Sequence, residues 1–349
     1  MVFSSNTNQM DWSKLAFSYT KTNTIITSLF KNGEWGPLES STDDTIRISA
    51  LAGSLQYGIE AFEGLKAYEG CDGKIRLFRP EENAKRLKRS ADFLGIQAPY
   101  TDMFIKACER AVLENREFLP PYSSGASLYI RPFIIGVNPQ VGLICPNEVL
   151  FVVAVTPVGA YASEALKPIR VLLARDHDRA APMGTGSYKI GGNYAAAMLA
   201  GIRAKEQGYS MILYLESANR KYIDEFSSSN FFGIKGNNYV TPDSDTVLPS
   251  ITNKSLLQLA QDMGLTTERR KIALEELHEM DEIGACGTAV VITPVHEVVD
   301  NLNNRTIKVG ESDRAGHISA ALYNKLTGIQ FGREHDQHNW CRVIAWEHY

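Results

Sequence analysis

Paired cysteines are missing from this chain. Its five, Cys71, Cys108, Cys145, Cys286 and Cys341, are odd in number and widely spaced, and none forms a Cys-x-x-Cys pair. That pattern argues against disulfides and structural zinc and for a reduced, cytoplasmic setting. Metal-ligand spacing is scarce among the histidines as well. Of the seven, only His335 and His338 lie close together, in a polar stretch that reads as a solvated tail, so no metal is expected. Charge of one sign is lacking too: 36 basic and 40 acidic residues leave a net charge of −4 with no long run of either. Nothing here resembles an electrostatic footprint for nucleic acid or an anionic membrane. The longest apolar run, around Val149 to Val155, is far too short to span a bilayer and reads as a buried strand. The N-terminus has no basic region followed by an apolar one, as a secretory signal requires. Internal repeats and low-complexity tracts are absent.

What remains is an ordinary globular composition, and 349 residues are enough for two domains. After a mixed start with a β-like patch at Thr24 to Phe30, helical spacing runs from Ser54 to a stop at Gly64. Leu65 to Tyr68 and Ile75 to Phe78 predict a hairpin. Pro80 opens an amphipathic helix whose apolar stripe includes Ala84, Leu87, Ala91 and Leu94 and whose other face is basic. A second helix covers Thr101 to Phe118, and Ser127 to Ile135 reads as a strand. The small-residue stretch from Thr156 to Lys167 reads as the linker region, and the division is set at domains 1–161 and 170–349 with 162–169 between them. Beyond it strands and helices alternate. Strands are expected at Ile169 to Ala174, Ser210 to Leu215 and Thr288 to Pro294, with a hairpin at Phe231 to Val240. Helices are expected at Tyr194 to Gln207, Ile251 to Met263 and Asp313 to Thr327.

Three places carry chemistry. Gly184 to Tyr194 sets one lysine, Lys189, between two pairs of glycines in a run with no other charge. Glycine lets backbone come close to a ligand, and a lysine without an adjacent carboxylate is free to lose its proton when desolvated. A phosphate-binding glycine loop is disfavoured because Ile190, not Ser or Thr, follows the lysine. A solvated surface loop stays open on these residues alone. Arg131 shares one face of its strand with Tyr129 and Phe133, as either a snorkelling edge residue or an anion receptor. Glu225 lies in Asp224-Glu225-Phe226 before an uncharged Ser-Ser-Ser-Asn run, which suits a cofactor wall as well as a solvated turn.

Taken in order, these pieces resemble the branched-chain amino-acid aminotransferases, pyridoxal-phosphate enzymes of fold type IV, in their longer eukaryotic-type branch. The resemblance rests on Ser54 to Tyr68, Leu77-Phe78-Arg79-Pro80 with Arg86, Leu128-Tyr129-Ile130-Arg131-Pro132 and Val158-Gly159-Ala160-Tyr161. It continues through the lysine loop, Asp224-Glu225, Leu248 to Leu257 and Gly287-Thr288-Ala289, covering nearly the whole chain. It implies an α/β (α+β) two-domain fold type IV enzyme that exchanges amino groups between leucine, isoleucine or valine and 2-oxoglutarate. A D-amino-acid aminotransferase or an aminodeoxychorismate-type lyase of the same fold is the alternative.

The resemblance also implies the roles. Lys189 forms the internal Schiff base with pyridoxal 5'-phosphate and then moves the substrate's proton. Glu225 pairs with the pyridine nitrogen, and Tyr194 bonds the phenolic oxygen. Arg86, Ile251, Thr252 and Thr288 hold the phosphate, with Arg179 near it. Thr288, Ala289 and Tyr129 receive the α-carboxylate. Phe17, Tyr57, Phe62 and Tyr161 line the apolar pocket, with Arg131 at its far side for a γ-carboxylate. The enzyme is expected to be at least a homodimer, with Val141 and Leu143 of the 138–146 loop lining the partner's substrate wall. One departure is visible: some members carry a Cys-x-x-Cys where this chain has Val290 and Thr293, so that thiol switch is absent.

Overall fold

Ten-residue apolar stretches seldom stay solvated, and two of them form the spine of the first half of the chain. The computed structural model describes residues 10–159 and 166–345. The chain divides into two compact units, Met1–Tyr161 with Gly328–Tyr349, and Ala162–Thr327. In the first unit the early strands are β1 (Ile25–Lys31), β2 (Glu34–Trp35), β3 (Glu39–Ser41), β4 (Glu60–Phe62), β5 (Leu65–Glu69) and β6 (Ile75–Phe78). The spine is β7 (Ser127–Gly136) with β8 (Val149–Val158), paired antiparallel along their full length from Ser127 opposite Val158 to Gly136 opposite Val149. Around that pair the order is β6-β5-β7-β8-β1-β2, with β3 on β1 and β4 on β7.

Register decides which side chains share a face. Phe62 lies opposite Phe133 and Lys66 opposite Tyr129, and cross-strand partners point to the same side of a sheet. Tyr129, Arg131, Phe133, Phe62 and Lys66 therefore belong to one face. Helices α1 (Gly53–Tyr57), α2 (Pro80–Leu94) and α3 (Thr101–Glu114) complete this part, with α2 against α3 and β4. Pro80 occupies the first turn of α2 and Gly95 ends it. The helical spacing from Ser54 to Gly64 is broken early. Only Gly53–Tyr57 is helical, and Glu60 to Phe62 is drawn into the sheet beside β7, where ladder hydrogen bonds and burial override local spacing.

The second unit contains β9 (Ile169–Leu173), β10 (Met211–Leu215), β11 (Ile223–Phe226), β12 (Asn230–Lys235) and β13 (Asn238–Pro242). It continues with β14 (Thr266–Arg270), β15 (Glu282–Gly287), β16 (Val291–Asp300) and β17 (Arg305–Lys308). The order is β11-β10-β9-β16-β15-β12-β13-β14, with β17 on β16. β9 runs parallel to both β10 and β16, and the connection from β9 to β10 carries α4 (Gly191–Glu206). Its apolar core includes Val171, Leu213, Phe226, Phe231, Ile283 and Val298. The remaining helices are α5 (Ile251–Asp262) and α6 (His317–Gln330). The expected strand from Thr288 to Pro294 is instead a turn at 288–290 followed by β16.

The last described residues return to the first sheet. β18 (Cys341–Val343) pairs antiparallel with β6, and Phe331 packs edge-on against Tyr68 with ring centroids 5.0 Å apart. The stretch from Gly328 thus groups with the first unit, whereas the sequence pattern assigns it to the second. A short strand pairing supported by aromatic contacts carries too little periodicity to be read from sequence.

Candidate active site

The lysine loop is closed by a side chain inside the helix that follows it. Buried Asn193, in the first turn of α4, donates from Nδ2 to the carbonyls of Thr185 (2.8 Å) and Tyr188 (2.9 Å). The next residue, Tyr194, accepts a hydrogen bond from Lys189 Nζ at 3.0 Å. One helical turn therefore fixes both the loop and the amine. Gly186 serves a different purpose from the one its neighbours suggest. A Cβ there would lie 2.4 Å from the Thr246 carbonyl oxygen and 2.9 Å from Arg179 Nη2. The missing side chain makes room for protein, not for a ligand.

Glu225 lies on β11, all four residues of which are buried. Its Oε1 faces Arg179 Nη2 at 2.7 Å and accepts from the Leu248 amide at 3.1 Å, and its Oε2 accepts from Asn230 Nδ2 at 2.8 Å. Burial pushes this carboxyl up to about 8, outweighing the pull of Arg179 and of Lys189. Asp224 is buried as well, accepting from Thr246 Oγ1 at 2.7 Å, with Arg179 Nε 3.9 Å from its Oδ2. Arg179 Nη2 also donates to the carbonyls of Gly186 (3.0 Å) and Thr246. Among the described residues Arg179 Nε has no hydrogen-bond partner. The guanidinium is thus committed to two carboxylates and two carbonyls.

The same hydrogen bonds lead to two backbone donor sites. Asn230 Nδ2 donates a second bond to the Leu248 carbonyl at 2.9 Å, just ahead of α5. There Ser250 caps the helix, its Oγ accepting from the Asn253 amide at 3.1 Å. The amides of Ile251 and Thr252 belong to the first turn, which has no intrahelical acceptors and carries the positive end of the helix dipole. Asn230 also lies opposite Cys286, so the β15 end and the turn holding Thr288 and Ala289 neighbour the Glu225 cluster. That turn closes on Val291, a β-branched residue at φ 63°, an uncommon and costly conformation.

The first unit holds the other expected residues. Arg131 Nη2 donates to Tyr129 Oη at 3.1 Å, and its guanidinium lies 4.9 Å from the Phe62 ring centre. Phe17 packs edge-on against Tyr129 at 4.9 Å. Arg131 Nε is buried without a hydrogen-bond partner among the described residues, which favours an anion receptor over a snorkelling edge residue. Tyr57 donates to the Val141 carbonyl, while Val141 and Leu143 are 73% and 77% exposed. Arg86 is bound to buried Glu63 through Nε at 2.7 Å and Nη2 at 2.8 Å. Tyr161 lies outside the described residues.

Sequence reasoning missed several polar residues that shape these clusters: Asn193, Asn230, Glu63 and Lys66. Buried Lys66 faces the same side as Tyr129, and burial lowers its ammonium to about 8. Its signal was present, a lysine within the apolar run Leu65 to Tyr68. The asparagines gave none, since their worth depends on partners far along the chain.

Arg179→Met separates its two possible duties. Losing the guanidinium leaves Glu225 without its closest donor and buried Asp224 without its cation, so the cofactor-free protein should lose about 3–5 kcal/mol of unfolding free energy. Unchanged denaturant stability, with only ligand binding impaired, would show that Arg179 serves an external anion instead.

Comparison with known proteins shows the family. Residues 60–298 match the model of the family described as amino-transferase class IV. The branched-chain-amino-acid aminotransferase of Haemophilus influenzae is 42% identical over 95% of this chain and 98% of its own. The solved branched-chain amino acid aminotransferase of Escherichia coli is 28% identical, covers 93% of this chain and 99% of its own, and superimposes with a TM-score of 0.74. The T.th. branched-chain amino acid aminotransferase, solved with pyridoxamine 5'-phosphate, gives 26% identity, 94% and 100% coverage and a TM-score of 0.79. The chain has the fold type IV architecture and belongs to the class IV aminotransferases, in the branched-chain-amino-acid aminotransferase family.

Proposed function

We propose that the protein catalyses reversible transamination of L-leucine, L-isoleucine and L-valine with 2-oxoglutarate, using pyridoxal 5'-phosphate. The observation that carries this reading is the amine–phenol pair of Lys189 and Tyr194 in the same unit as a buried carboxyl, Glu225, held by three donors. The donor set fits the cofactor. An amine, a phenol, a buried carboxyl of raised proton affinity and a helix N-terminus answer to its aldehyde, phenolic oxygen, ring nitrogen and phosphate. When bound, pyridoxal phosphate supplies the electron sink that makes the α-proton of an amino acid removable.

The protein supplies position and proton transfer. Lys189 Nζ, oriented by Tyr194, takes the proton from the amino acid's α carbon and returns one when the 2-oxo acid is aminated. Glu225 favours a proton at the ring nitrogen, because a carboxylate beside that nitrogen stabilises its protonated form. Arg86 and the amides of Ile251, Thr252 and Thr288 hold the phosphate. Thr288, Ala289 and Tyr129 take the α-carboxylate. Phe17, Tyr57, Phe62 and Tyr161 receive the aliphatic side chain, and Arg131 receives the γ-carboxylate of glutamate. Its orphaned Nε supports that assignment. We place the enzyme in the cytoplasm as at least a homodimer. Val141 and Leu143 project from the chain as exposed apolar side chains, an arrangement that suits burial against a second copy.

Four measurements test this reading. Purified protein should transfer the amino group of L-leucine to 2-oxoglutarate. Glu225→Gln should lower kcat by about a hundredfold, the scale for losing one well-placed electrostatic partner. A change under about threefold, well below that scale, would remove Glu225 from the mechanism.

Arg131→Met should raise KM for glutamate and 2-oxoglutarate far more than for leucine, since only the former bring a second carboxylate. Equal losses would assign Arg131 to the α-carboxylate or to the fold.

The loop is tested with subunits carrying Lys189→Ala, Val141→Asp and Leu143→Asp together, mixed with unaltered subunits. A loop acting across the dimer spoils the one working lysine's site, so the mixed dimer is inactive. A mixed dimer retaining about half the activity, one site of two in a two-fold dimer, would confine the loop to its own subunit.

A further inference from the structure

Glu63 is wholly buried, and every donor around it belongs to a different structural task. Its Oε1 accepts from Arg86 Nε at 2.7 Å. Its Oε2 accepts from Arg86 Nη2 (2.8 Å), Asn83 Nδ2 (2.7 Å) and the Gly64 amide (3.1 Å). Asn83 Nδ2 is shared with the Gly64 carbonyl at 3.2 Å, so both ends of that residue's backbone are tied to the same cluster. The Glu63 amide donates to the Pro132 carbonyl at 2.7 Å, anchoring the turn on β7. Gly64 in turn supports Tyr129, because a Cβ at Gly64 would lie only 2.0 Å from Tyr129 Oη. One carboxylate therefore grips the guanidinium of Arg86 and the backbone on which the Tyr129 hydroxyl rests.

We infer that Glu63 is a positioning residue that fixes Arg86 for the cofactor phosphate and, through the Gly64 backbone, Tyr129 for the substrate α-carboxylate. The inference rests on the roles proposed above for Arg86 and Tyr129. A bidentate pair holds the guanidinium in one plane through Nε and Nη2 and leaves Nη1 outside the contact with Glu63. A glutamine at 63 keeps the size but presents an NH₂ group to a cluster made of donors, so this geometry is lost. Cofactor retention and substrate affinity should then fail together, with little change in the chemical step.

The test compares the binding of pyridoxal 5'-phosphate with that of pyridoxal, which lacks the phosphate, alongside leucine kinetics. In Glu63→Gln the preference for the phosphorylated ligand should fall about tenfold, the scale for losing a partner that orients a liganding group. KM for leucine should rise by a similar factor, with kcat within about threefold on the same scale. Asn83→Leu, which keeps the ion pair and removes the shared amide, should move both quantities the same way by a smaller factor. It carries the test if Glu63→Gln does not fold. Arg86→Ala is the control for the underlying reading: an unchanged ligand preference there would sink the phosphate role of Arg86 itself. If Arg86→Ala lowers the preference and both Glu63→Gln and Asn83→Leu leave it unchanged, the inference alone is wrong. Equal weakening of both ligands would make Glu63 a purely structural residue and overturn it as well.

Discussion

A carboxyl group out of water must be given partners, and this requirement organises the second unit. Glu225 is buried on a strand whose four residues are all buried, so its oxygens have no solvent to turn to. The chain answers with three donors from three segments: Arg179 from ahead of the lysine loop, Asn230 from the next strand in sequence and the Leu248 amide from ahead of α5. Each side-chain donor has a second attachment. Arg179 binds the Gly186 carbonyl within the lysine loop, and Asn230 binds the Leu248 carbonyl. The segments that carry Lys189 and the α5 N-terminus are thus tied to Glu225. Even so, the carboxyl retains a raised proton affinity, because burial costs the anion more than these partners return.

The first unit uses the same pairing with its roles exchanged. Arg179 with Glu225 and Arg86 with Glu63 are both short, buried arginine–carboxylate contacts at 2.7 Å. On the roles proposed above, the carboxyl is the working group in the second unit and the arginine holds it. In the first unit the arginine is the proposed working group and the carboxylate holds it. Buried ion pairs are weak sources of net stability, since desolvation cancels most of the attraction, whereas leaving one partner alone is very costly. Their value here lies in orientation. A planar guanidinium against a carboxylate admits few geometries, so each pair converts a flexible side chain into a fixed one.

How much of this was legible depended on sequence distance. Lys189 and Tyr194 are five residues apart across a loop and a first helical turn, so their partnership is local; the glycine run singles out Lys189, and the resemblance adds Tyr194. Tyr129 and Arg131 are two apart on a strand, and their shared face follows from the period of two. Glu63 was hidden by a wrong element. Helical spacing from Ser54 onward makes it a helix residue and Gly64 a stop, whereas both lie where the chain joins the sheet beside β7. The resemblance names Arg179 for the phosphate, but nothing in the sequence marks its bond to the Thr246 carbonyl 67 positions away or the bridge Asn230 makes from Glu225 to the Leu248 carbonyl 18 positions on. The fold's outline rests on patterns of two and 3.6, and the polar network rests on contacts with no period.

The glycines show where a correct emphasis had the wrong cause. Glycine near a lysine invites the idea that a ligand needs the space, and at two positions the space is taken by the protein itself. Thr246 and Arg179 fill it at Gly186, and the Tyr129 hydroxyl fills it at Gly64. A methyl group at either place would not obstruct a substrate directly. It would push aside Arg179, and with it Glu225, or displace Tyr129, and with it the bond from Arg131. The close approach of backbone to side chain that glycine permits is what lets these polar groups sit within hydrogen-bonding range while remaining buried. Such a site tolerates little change at residues that touch no ligand, because its geometry is stored in protein–protein contacts one layer behind the chemistry.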